Sequence, residues 1–239
     1  MISWRRAAAI LLFNAALSFV IQMSAPAEPR LSDRSEYEYN SLEPFAPECP
    51  KTIYCYRFLV PAVLARVPLD PEVRWRGLQW LAHTATGTVT AFVVSPFASP
   101  FIASTLLQTS YAFSFTAYDP YTPDPVVFLI AALVLYWWVQ DRSLPVAVMA
   151  AAGVFVKETV AVLAACAAVA SLFAQDRPHR WRWCVPVILA AIFLFTFHWF
   201  MDTYAGWGIS KNPAANFSGG SWLAVWCIFL TNHPGSNRI

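Results

Sequence analysis

Residues 144–174 read LPVAVMAAAGVFVKETVAVLAACAAVASLFA, an apolar run interrupted near its middle by one adjacent pair of charges, Lys157-Glu158. Crossing about 30 Å of hydrocarbon takes about 20 helical residues, so the run is too long for one ordinary crossing. An ionisable side chain at the bilayer centre costs about 2.5 to 3.5 kcal/mol on insertion scales. The pair therefore has to face a cavity, a partner charge or the interface. Two readings follow. Either one long tilted helix buries the pair, or a helical hairpin turns at Lys157-Glu158 and comes back to the side it left. The hairpin is favoured, because it puts the basic cluster Asp176-Arg177-Pro178-His179-Arg180-Trp181-Arg182 in the cytoplasm, where Lys and Arg accumulate. Two short arms and a turn without Gly or Pro count against it.

The same pattern extends both ways. Upstream, residues 7–23 form a first apolar segment behind Trp4-Arg5-Arg6, which places the N-terminus in the cytoplasm. Ala25-Pro26-Ala27 also fits a signal-peptidase site, and with either reading the loop that follows is exported. That loop, residues 24–56, is rich in Pro, Tyr and acids. Residues 57–67 are too few to span and are closed by Pro68-Leu69-Asp70-Pro71, giving an interfacial or re-entrant helix and an extracytoplasmic unit over 24–68. Further crossings are expected at 78–94, 101–117 and 126–139, with a Pro-containing turn at 95–100 and an outside loop at 118–125. Downstream, 184–200 forms another crossing and 201–220 a polar loop, outside in the hairpin reading. The apolar start at 221–230 is too short to cross, which reads as an interfacial helix or as a larger protein cut short. The expected fold class is all-α: a polytopic transmembrane helical bundle in a single domain over 1–239, with an extracytoplasmic loop after the first helix.

Composition agrees. Of 239 residues, 58% are hydrophobic and 13% charged, with a mean hydropathy of +0.48, more apolar surface than one soluble core hides. The lipid bilayer is thus the first expected partner, in a multi-pass protein of a bacterial inner (plasma) membrane. A net charge of +2, with the basic residues in short clusters, argues against nucleic acid. Cys166, Cys184 and Cys227 lie in apolar runs and read as packing residues. Cys49 and Cys55 bracket five loop residues with no His or further Cys nearby, which leaves a local disulfide or two free thiols and no zinc site. Asn216-Phe217-Ser218 matches a glycosylation sequon to which no role is assigned. There is no internal repeat of the kind that builds two-fold transporters.

In this topology the acidic loop with Asp33, Glu36 and Glu38, the loop with Asp119 and Asp124, and the Lys157-Glu158 turn all reach the outer face. Neighbouring residues on a helix point in different directions, so Lys157 is free to meet Asp119, Asp124 or a ligand phosphate instead of Glu158. A structural ion pair inside the bundle is the competing reading. Arg57 stands where the exported loop re-enters the membrane, suited to a lipid phosphate through its two-pronged fork or to simple snorkelling. The loop acids are solvated by default, or supply a general base for an acceptor hydroxyl. His83 and His198, each alone on an apolar segment, read as interfacial or hydrogen-bonded core residues.

Asp33-Arg34-Ser35-Glu36-Tyr37 in the first exported loop, then Tyr56-Arg57-Phe58-Leu59-Val60-Pro61, an Asp-Pro loop before a helix, and Val156-Lys157-Glu158-Thr159 in an Ala-rich segment resemble, in that order, the GT-C superfamily of polytopic glycosyltransferases. The resemblance covers roughly residues 1–200, and the chain is shorter than typical members. It implies transfer of a sugar from a polyprenyl-phosphate donor to an extracytoplasmic acceptor. The catalytic carboxylate maps onto Asp33, with Glu36 as second choice, and Arg57 and Lys157 neutralise the departing phosphate. The candidate substrate-binding set is Arg57, Asp119, Asp124, Lys157 and Glu158, and a divalent cation is the one candidate cofactor. Two rival functions remain open. One is a transporter or channel with an intramembrane pathway lined by Lys157, Glu158, Asp119 and Asp124; the other is a non-catalytic assembly subunit.

Overall fold

The computed structural model describes residues 3–25, 37, 56–174, 180–201 and 203. These are helical, with no strand among them. The helices are α1 (Trp4–Met23), α2 (Leu59–Leu64), α3 (Pro71–Val94), α4 (Pro100–Gln108), α5 (Tyr111–Tyr118), α6 (Asp124–Val139), α7 (Ser143–Gly153), α8 (Thr159–Phe173) and α9 (Cys184–Phe200), with a 3₁₀ turn at Arg180–Trp183 leading into α9. Two segments are long and apolar enough to cross a membrane, Trp4–Met23 and Arg180–Phe200.

Local chemistry sets the helix starts. Asp70 caps α3, its carboxylate accepting from the Glu72 N–H at 2.9 Å, and Pro71 occupies the first turn, where a missing N–H costs nothing. The helix therefore begins seven residues before the expected crossing at 78–94. The expected crossing at 101–117 is two helices, α4 and α5, broken at Thr109-Ser110. Thr105 and Thr109 each donate to the carbonyl four residues back, at 2.9 and 2.7 Å, a local bond that competes with the helix ladder and bends it. The 144–174 run is also two helices. After Gly153 the backbone tightens, with the Val156 N–H bonding the Gly153 carbonyl at 2.9 Å, and the freed Phe155 carbonyl accepts from the Leu59 N–H at 3.2 Å. A carbonyl left over by the break thus satisfies a donor at the start of α2.

Pairwise bonds fix the directions. Lys157 reaches Asp124, and Trp138 donates to Ser171 at 2.8 Å. Both links span 33 residues, so α8 runs parallel to α6, and α7 between them runs the other way. This is the hairpin. Trp183 donates to Asp141 while Phe197 packs on Phe155, which sets α9 antiparallel to α8. In the other half, Gln22 donates to the Arg76 carbonyl and Trp80 to the Ala15 carbonyl, so α1 and α3 are antiparallel.

This topology sorts the charges. Arg57, Arg66, Arg74, Arg76 and Lys157 share one end of the bundle with Asp70, Glu72, Asp119, Asp124 and Glu158. Arg5, Arg6, Arg142, Arg180 and Arg182 share the other with Asp141. Among the described residues no Asp, Glu, Lys or Arg lies between the two ends.

Helices α6 to α9 pack through an apolar core that includes Val127, Ile130, Val134, Val146, Val160 and Ala164, whereas α1, α3, α4 and α5 meet through a buried polar seam and carry apolar side chains outside. On α1 the buried residues are Ile10, Asn14 and Ser18, while Leu11, Leu12, Phe19 and Val20 are exposed. On α3, Gln79, His83, Thr84, Thr86 and Thr88 are buried and Leu81 is exposed. Gln108 of α4 donates to Asn14 Oδ1 at 2.6 Å and accepts from Ser18 at 2.7 Å. Gly87 makes room for this cluster, since a Cβ there would fall on the Asn14 and Gln108 amides. His83 and Thr116 lie 2.9 Å apart, Nε2 to Oγ1, and Gln79 donates to the Thr116 carbonyl. Nearly every buried polar group here thus has a partner, as burial demands; the Thr84 hydroxyl has none.

Candidate functional site

The balanced end of the bundle carries four of the five candidate binding residues as two ion pairs. Arg57, just before α2, meets Glu158 with both prongs of its guanidinium: Nη2 donates to Oε1 at 2.5 Å and Nε to Oε2 at 3.1 Å. Lys157 Nζ donates to Asp124 Oδ1 at 2.5 Å. The turn between α7 and α8 is what makes this possible, since it points neighbouring residues 157 and 158 at different elements. Asp124 is presented by the first turn of α6. Asp119, buried at the end of α5, stands on the same connection.

The electrostatics of the Arg57–Glu158 pair favour the charged form of both partners. Burial by itself would raise the Glu158 carboxyl, but the hydrogen bonds and charge of Arg57 outweigh it and hold the group below its ordinary value. Burial likewise works against the Arg57 charge, and the hydrogen bond and charge of Glu158, together with the Tyr37 phenol, more than reverse that.

Tyr37 connects the pair to the segment between α1 and α2. It is 1% exposed, helps hold the Arg57 charge and packs on Trp75 at 5.6 Å between ring centroids; Trp75 in turn meets Tyr121 at 5.9 Å. Its loop neighbours Asp33 and Glu36 lie outside the described residues, as do Cys49, Cys55 and Asn216. On the other side of Arg57, Tyr56 stacks on His198 at 3.7 Å, and Phe58, Phe155 and Phe197 pack on one another at 5.0 to 5.6 Å. Phe155 and Phe197 also line an apolar recess of about 320 Å³ with Ile192, Phe193, Thr196 and Phe200. Among the described residues no group of three or more His, Cys, Asp or Glu is placed to hold a metal ion.

The sequence brought Arg57, Asp124, Lys157 and Glu158 to one face without giving the pairing, and it missed the aromatic frame. The signal for that frame was present in the Tyr37, Tyr56, Trp75 and Tyr121 side chains flanking each charged segment. Comparison of the chain with protein-family models, curated proteins and solved structures finds no match.

Proposed function

We propose that the chain is a multi-pass membrane protein, its Arg57 end outside the cytoplasm, that transfers a sugar from a polyprenyl-phosphate donor to an extracytoplasmic acceptor. Two features support the membrane placement. Helices that bury Asn, Gln, His and Thr and expose Leu, Ile, Val and Phe suit a hydrocarbon solvent, where polar groups must be satisfied internally. The charges lie in two end layers, and the arginine excess at the Arg5, Arg142 and Arg182 end gives the orientation.

The observation that carries the chemistry is the pair of cations, Arg57 and Lys157, beside an apolar recess. A polyprenyl phosphate has that shape, an anionic head on a hydrocarbon tail. In the reaction, the acceptor oxygen attacks the anomeric carbon as the bond from that carbon to the phosphate oxygen breaks. The bonding electrons leave with the polyprenyl phosphate. The hydroxyl proton passes to a carboxylate, for which Asp33 and then Glu36 are the candidates. Arg57 and Lys157 stabilise the charge growing on the leaving phosphate, while Glu158 and Asp124 hold the two cations in place before it binds.

The test is sugar transfer by the full chain in proteoliposomes with a lipid-linked donor. Lys157→Gln and Asp33→Ala are expected to lower transfer by about 100-fold or more at unchanged abundance. Unaltered transfer removes those residues from the reaction. A second reading has one observation of its own: each cation is already matched by a carboxylate, as in a clasp joining four segments of a non-catalytic subunit. That reading predicts a stable complex with a larger membrane partner and no transfer. Confinement of charge to the ends weighs against an intramembrane charged pathway.

A further inference from the structure

The arginine-rich end holds a second polar assembly, remote from Arg57. Asp141, between α6 and α7, has a left-handed backbone (φ 54°), and its carboxylate accepts from the Trp183 indole at 3.2 Å. Trp183 is 1% exposed, so the Arg180–Trp183 turn is pinned by a buried ring. The other side chains of the turn face outward. Trp181 is 65% exposed, and Arg180, also exposed, spends one N–H on the Leu172 carbonyl at 3.1 Å. Arg182, its side chain 43% exposed, makes one long contact, 3.5 Å to Asp141. Among the described residues Asp141 is the one carboxylate at the turn, and Arg180 and Arg182 keep donors that it does not engage. Directly beside the turn, Leu172, Phe173, Val185 and Ile188 present exposed apolar side chains at the adjoining ends of α8 and α9.

We infer that this turn binds the headgroup of an anionic phospholipid in the cytoplasmic leaflet. The phosphate would lie against Arg180 and Arg182, Trp181 at headgroup level, and the acyl chains along the exposed apolar ends of α8 and α9. Three properties select this ligand over a soluble anion: the site is cationic, it carries an exposed interfacial tryptophan, and it continues into a surface suited to hydrocarbon. Basic residues between membrane helices on the cytoplasmic side recognise anionic headgroups by this combination. The inference rests on the membrane placement proposed above and is independent of sugar transfer.

The experiment reconstitutes the full chain in phosphatidylcholine and measures, by electron spin resonance, the motionally restricted fraction of trace spin-labelled phosphatidylglycerol against spin-labelled phosphatidylcholine. An arginine near an anionic surface is worth about a fivefold preference. With Arg182 part-neutralised by Asp141, about fivefold for the site as a whole is expected. Arg180→Gln/Arg182→Gln should bring phosphatidylglycerol down to the phosphatidylcholine level, Arg180→Lys/Arg182→Lys should keep part of the preference, and Arg5→Gln/Arg6→Gln should keep most of it. No preference in the wild-type protein, or a preference untouched by the double Gln variant, overturns the assignment. Loss of the preference in millimolar inorganic phosphate at constant ionic strength would make this a free-phosphate site instead. Absence of restricted lipid of either kind would overturn the membrane placement itself, whereas loss of sugar transfer alone would leave the lipid site standing.

Discussion

Breaking the Arg57–Glu158 pair should cost more than its surface-like position suggests. The two side chains are 11% and 24% exposed, and both oxygens of the carboxylate are engaged at 2.5 and 3.1 Å. Removing one partner of a buried pair costs about 3–5 kcal/mol, mainly because the other charge is stranded. With a quarter of Glu158 reached by solvent, the low end applies, so Arg57→Gln and Glu158→Gln should each cost about 3 kcal/mol. Replacing both strands no charge and leaves two amides able to bond each other. The double variant should therefore lose less than either single one, a coupling of more than about 3 kcal/mol. The assay is unfolding of the purified protein in maltoside micelles by increasing dodecyl sulfate, followed by helical circular dichroism. Single effects that add to within about 0.5 kcal/mol would refute the reasoning, because they would mean that each side chain is stabilised by something other than its partner.

The remaining predictions draw on particular contacts. Because Glu158 is held below its usual 4.5, the stability it contributes is fully present above about pH 4.5 and is lost as pH falls through the lower folded value. Unfolding midpoints of the wild type should hold from pH 7 to 5 and drop below that, with the drop reduced in Glu158→Gln; an equal drop in both would assign the acid sensitivity elsewhere. Gly87→Ala should cost about 1–3 kcal/mol, since its methyl displaces the Asn14 and Gln108 amides and leaves buried polar groups unpaired; unfolding titrations that superimpose on the wild type's would contradict the packing. Gly153→Ala would put a methyl 2.6 Å from Val160 Cγ1, an overpacking of about 1–3 kcal/mol, which Val160→Ala in the same chain should relieve.

The hairpin and the gathering of charge were legible because they follow from cost alone. A Lys-Glu pair in an Ala-Val run has few places to go, and the turn at Val154–Glu158 puts it at a bundle end. The expected alternation of apolar segments put Arg57 and Asp124 at the same end. The pairing itself was not legible, since on sequence grounds Lys157 could meet Asp119, Asp124 or a ligand phosphate, and the choice depends on where α6 begins. Nor was the split of residues 101–117, since mean hydropathy does not register side-chain bonds such as those of Thr105 and Thr109 to their own helix.

The buried polar seam was hidden for a related reason. Average hydropathy treats Asn14, Gln79, His83 and Gln108 as dilutions of an apolar signal, and so α3, 24 residues long, falls short of the composition that marks α1 and α9. Spacing tells the opposite story. Asn14 and Ser18 are one helical turn apart, as are Gln79 and His83, so each pair forms a stripe on one face. In water such a stripe would face out; here it faces in and the leucines face out. A solvent that cannot hydrogen-bond favours that arrangement, which is how it supports the membrane placement proposed above. The inverted stripe on α3 therefore supports the proposed crossing more than its hydropathy does, and it lies where the hydropathy is weakest.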